Sequence, residues 1–75
     1  MSETNRAIEL EKQAETMMAA EHWRDAIKLL REELPIIERN WRLSWNLGWC
    51  YFKLDELDDA RKHLIRARKL TGVAV

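Results

Sequence analysis

Only two glycines and one proline punctuate 75 residues, so almost nothing forces the backbone out of a helix. Apolar residues recur at three- and four-residue spacing, as in Ile8, Leu10, Ala14, Met17 and Met18, which gathers them on one helix face that must be buried. The chain is therefore expected to be all-helical. Ser2 or Thr4 offers a side-chain oxygen to the free amides of a first helix, which runs to about Ala20 and stops at the polar pair Glu21 and His22. A second helix follows as "WRDAIKLLREEL". Pro35 lacks an amide hydrogen and its ring clashes with the carbonyl of Arg31, so this helix ends near Leu34 or kinks through Ile36 and Ile37. Asn40 caps a third helix, "WRLSWNLGWCYFKL". Asp55 begins the fourth, "DELDDARKHLIRARKL", whose acids stand at the start and whose Arg66, Arg68 and Lys69 stand at the end, the order that a helix dipole favours. Gly72 sits where that helix should stop.

A chain of this length is a single small domain, spanning residues 1–75, with a core that stabilises it only marginally without neighbours. An apolar content of 47% beside 35% charged residues argues against disorder. No apolar run reaches the length of a membrane span, and "MSETNRAIELEK" is acidic where a secretory leader is basic and then apolar, so neither a signal peptide nor an anchor is expected. Cys50 is the only cysteine, which excludes an internal disulfide and makes the reducing cytoplasm the default compartment. Net charge is zero, yet residues 1–40 carry about −3 and residues 41–75 about +3. Opposite ends suit head-to-tail stacking, although solvated faces account for them as well.

Sliding the chain against itself by 34 residues sets Asp25 and Ala26 on Asp59 and Ala60, Lys28 on Lys62, and Leu30 on Leu64. The same offset sets Ala14 on Gly48, Met17 on Tyr51, Met18 on Phe52 and Trp23 on Leu57, small with small and large with large. Leu47, Gly48, Tyr51, Ala60 and Leu64, with Ala67 and Leu70 after them, resemble the tetratricopeptide repeat in type and spacing. A more degenerate first copy keeps Ala14, Met17, Trp23, Ala26 and Leu30. The resemblance implies two repeats, about 7–40 and 41–74, folded as two antiparallel helical hairpins of a right-handed α-solenoid. Three features depart from the pattern: Ser44 stands where the family has an early Trp, Glu21 and Asp55 replace a turn glycine, and Gly72 replaces the closing proline. Small residues at Gly48 and Ala60 let two helix backbones approach, so Gly48→Leu should break the second hairpin.

The resemblance also implies function: in that family the first helix of each repeat lines a groove for a peptide or a partner helix. By register the groove residues are Arg42, Trp45, Asn46, Trp49, Phe52 and Lys53 from one repeat and Ile8, Glu11, Glu15 and Met18 from the other. Helical geometry independently gathers Trp41, Trp45, Trp49 and Phe52 into a stripe roughly 100° from that of Leu43, Leu47, Cys50, Tyr51 and Leu54. Both stripes cannot face one small core, and exposed tryptophan is enriched at binding hot spots. Trp41 is expected against Ile36 and Ile37, and Trp45 either on Met18 or free, which leaves Trp49 and Phe52 as the open part. Asn46 matches a position with which some family members grip a terminal carboxylate, but Glu11 and Glu15 would repel one.

Catalysis has no visible basis. His22 and His63 lack partners at metal-ligand spacing, Cys50 lies on the inward stripe, and "DELDD" is a helix start. No metal or other cofactor is implied. The basic run Arg61, Lys62, Arg66, Arg68 and Lys69 raises nucleic-acid binding, which zero net charge and a helix-end location disfavour. Ala60, Leu64, Ala67 and Leu70 leave an apolar face on the last helix with nothing after it, so either a longer chain or a second copy is expected to cover it. Two functions follow as expectations: a scaffold module that binds a protein or peptide, or a homo-oligomer that buries the same tryptophans.

Overall fold

The computed structural model describes residues 2–72, which form five helices: α1 Glu3–Ala19, α2 Trp23–Arg31, α3 Leu34–Ile37, α4 Trp41–Lys53 and α5 Leu57–Thr71. Two expected caps are present. The hydroxyl of Ser2 accepts from the Asn5 amide at 3.1 Å, and the side-chain oxygen of Asn40 accepts from the Leu43 amide at 3.1 Å, each satisfying a donor that the first turn of a helix leaves free. At the other end Gly72 closes α5 with φ +74, the left-handed conformation that glycine adopts without a steric penalty.

Two boundaries differ from expectation. The second helix neither reaches Leu34 nor bends around Pro35; it stops at Arg31, and the chain restarts as the single turn of α3 with Pro35 at its N-terminus. A proline there loses no bond, because first-turn amides have no partner within the helix. The last helix starts at Leu57 rather than Asp55, since Asp55 turns the chain with φ +62 and Glu56 takes the capping position.

The offset of 34 residues reappears in the backbone. Glu21 has φ +61 and Asp55 φ +62. Around them the amide of Glu21 donates to the Met18 carbonyl and that of His22 to Met17, while the amide of Asp55 donates to Phe52 and that of Glu56 to Tyr51. These paired bonds close both helices with the same left-handed turn.

α1 packs on α2, α4 packs on both, and among the described residues α5 packs on α4 alone. Leu10, Leu30, Ile37, Leu43, Leu47 and Cys50 are fully buried where α1, α2, α3 and α4 meet, each leucine there contributing about 1.5–3 kcal/mol by leaving water. Ser44 is fully buried too, and its hydroxyl donates to the Ile37 carbonyl at 2.6 Å. α5 approaches α4 closely at Gly48, where a Cβ would lie 2.8 Å from the Leu64 side chain and 3.1 Å from the Ala60 carbonyl oxygen. Tyr51 ties three helices together: Arg31 of α2 donates to its hydroxyl at 2.7 Å, and its ring stacks on His63 of α5 at 5.6 Å. No helix among the described residues is long and apolar enough to cross a membrane.

Candidate functional site

Packing of α4 against α5 buries the small residues between them and leaves large apolar neighbours exposed beside the seam. α4 contributes Trp41, Trp45 and Phe52, which are 42%, 48% and 47% exposed. α5 contributes Leu57, Leu64 and Ile65 opposite, with buried Ala60 and Ala67 between the walls. The result is an open apolar groove of about 560 Å³, within the size range of binding sites. Its charged members are Arg61 and Arg68, both exposed.

The structure separates the residues that sequence register groups into one groove. Trp45 and Phe52 line the α4–α5 groove. Trp49 does not; it is half-buried, stacked on Phe52 at 5.3 Å, and the Lys53 ammonium bridges it to Trp23 at 5.3 and 5.8 Å from the two rings. Asn46 is buried, and its Nδ2 is a donor without an acceptor among the described residues. Arg42 and Glu11 face each other across α1 and α4 at 3.4 Å, so the charge of Glu11 is in part neutralised. Met18 packs half-buried against the core, while Glu15 and Ile8 are exposed on α1. Trp41 lines the groove, partly exposed, with the Arg42 guanidinium 5.2 Å from its ring.

Leu57, Ile65, Arg61 and Arg68 complete the site and were not assigned to it from sequence. A signal existed: Leu57, Leu64 and Ile65 with Ala60 and Ala67 make an apolar face on α5 broader than one neighbouring helix can cover. A second cleft of similar size and more polar lining runs between the start of α1 and the α3–α4 corner, crossed by the Arg39–Glu3 ion pair at 2.9 Å and by Arg42–Glu11.

Titratable groups near the seam are set by burial. Desolvation pushes the Cys50 thiol up to about 11, so it stays protonated and weakly nucleophilic at neutral pH. Desolvation, reinforced by the charges of Arg66 and Lys62, lowers His63 to about 4, which keeps its imidazole neutral against Tyr51. No cluster of His, Cys, Asp and Glu suited to a metal ion occurs among the described residues. Comparison with protein-family models, with curated proteins and with solved structures returns no match.

Proposed function

We propose that the chain is a non-catalytic interaction module of tetratricopeptide-like build, which holds a peptide or partner helix against the aromatic face of α4. The observation that carries this reading is the groove itself: Trp41, Trp45 and Phe52 stand exposed on one wall of a continuous apolar channel. Leaving such rings in water costs solubility, and burying them on a partner returns it as affinity. The matching left-handed turns at Glu21 and Asp55 support the repeat reading.

Self-association through the same face is the competing reading. Measuring solution mass against concentration together with tryptophan emission separates the two. A monomer at high micromolar concentration with red-shifted emission supports a hetero-partner; a dimer whose mass falls in Trp45→Ala supports self-assembly. A monomer with fully blue-shifted emission would rule out both, because the rings would then be covered within one chain.

A further inference from the structure

We infer that the α4–α5 groove receives an amphipathic helix from another protein, with carboxylates spaced to meet Arg61 and Arg68. The inference rests on the docking role proposed above and names the partner's chemistry.

The protein shows how an equivalent groove is filled. Shifted back by 34 residues, Trp41, Phe52, Leu57, Ala60 and Leu64 become Ala7, Met18, Trp23, Ala26 and Leu30. That surface of α1 and α2 is where α4 packs: Ala7, Ala26 and Leu30 are buried, and Trp23 lies under Lys53 of α4. A helix is thus the shape this seam accepts. Chemistry agrees, because an extended peptide needs backbone partners, and a wall of indole, phenyl and aliphatic side chains supplies almost none; a helix satisfies its own backbone.

The charge of the partner follows from the arginines. Arg6, Arg24, Arg39 and Arg42 pair with carboxylates, Arg31 donates to Tyr51 and Arg66 lies against His63. Arg61 and Arg68 alone among the arginines have no side-chain partner among the described residues, and they are the two that line the groove. At the equivalent positions of the first hairpin stand Ile27 and Leu34. Apolar residues there match an apolar occupant, so arginines in the second groove call for acids. Seven residues separate Arg61 from Arg68, about two helical turns or roughly 10 Å along one side of α5, so the partner carries its acids two turns apart on one flank. A second copy fits less well, because twofold pairing of α5 centred between Leu64 and Ile65 sets Arg61 of one copy against Arg68 of the other.

The test is a displayed library of amphipathic helices of about four turns, with a fixed Leu/Ile/Met/Phe stripe and Glu, Gln or Lys varied along its flanks. It is selected on the full chain and counter-selected on Trp45→Ala, a surface change whose helicity is checked by circular dichroism. Enriched clones should carry acids seven apart on one flank. A synthetic peptide of such a sequence should lose about tenfold in affinity against Arg61→Glu/Arg68→Glu, as removal and reversal of two rim ion pairs requires. Its lysine counterpart should regain that loss on the reversed protein, while Lys62→Glu/Lys69→Glu, off the groove, should leave binding unchanged. Clones that bind through Trp45 without a charge preference would overturn the acidic partner and leave the docking role standing. Failure to enrich any clone over Trp45→Ala would overturn both.

Discussion

The α1–α2 pair and the α4–α5 pair are each joined by the same turn and bury small residues 34 apart, Ala26 in one and Ala60 in the other. They differ in what lies on top. α4 covers the seam of the first, so that Leu30 is fully buried and Trp23 half-buried; over the second seam the described residues place nothing, and Leu57, at the position equivalent to Trp23, is 53% exposed. The difference teaches that one helical pattern is buried or left open according to whether another helix packs over it. Polarity follows the same division. One face of α1 exposes Asn5, Glu9, Lys12, Gln13 and Thr16 to water, whereas the face of α5 along the groove is apolar between two arginines.

Four tests break or sharpen this comparison. The largest effect is expected for Gly48→Leu, which forces a side chain into Leu64 and the Ala60 carbonyl. Overpacking of this kind should cost about 3 kcal/mol or more, visible as reduced helicity and an earlier urea transition, and near-wild-type stability would refute the close approach of α4 and α5. Next comes the pair Trp23→Ala and Leu57→Ala. The covered residue should cost about 2–3 kcal/mol and the uncovered one less than about 0.5 kcal/mol in the same denaturation experiment; equal costs would erase the contrast between the hairpins.

The third test uses His63, whose equivalent in the first hairpin is Leu29. Burial lowers His63 from an ordinary 6.5 to about 4, so the unfolded chain takes up a proton within that window and the folded chain does not. The stabilising neutral form is fully present above pH 6.5, and stability should fall as pH drops from about 6.5 towards 4. Arg66, Lys62 and Arg31 oppose protonation and Asp59 favours it. Thermal unfolding of the wild type against His63→Leu should isolate this slope from that of the carboxylates, and parallel curves would show that His63 is not neutral inside the fold. The smallest effect belongs to the turns: Glu21→Gly and Asp55→Gly each relieve a side chain at positive φ, and each should stabilise by about 0.5 kcal/mol after the entropy of glycine is deducted. Destabilisation at either site would mean that its side chain holds the turn.

Much of the helical layout was legible because its causes are local. Ser2, Asn40 and Gly72 act on amides and carbonyls within one turn, and the inward stripe of Leu43, Leu47, Cys50 and Tyr51 follows from the pitch of a single helix. What failed depends on neighbours remote in the chain. Periodicity puts Trp41 on a face but does not say which helix stands beside that face, and the fold sets it on the groove wall beside α5. Trp49 belongs to the same stripe, yet Phe52 and Lys53 cover it in part. Arg61 and Arg68 belong to a basic run with a helix-end explanation, and only the folded seam distinguishes them from Lys62 and Lys69. The break between α2 and α3 escaped because the sequence signal was Pro35, whereas the chain leaves the helix at Glu32 and then uses the proline to start the next turn.

Because α5 packs, among the described residues, against α4 alone, the last helix can detach while the other four stay together. Its amides should exchange with deuterium through such partial openings, sooner than those of α4, whose exposure requires the core to come apart. A helix seated in the groove would then hold α5 from its second side, and the slowed exchange along Leu57–Thr71 would record occupancy even from a ligand that has no chromophore.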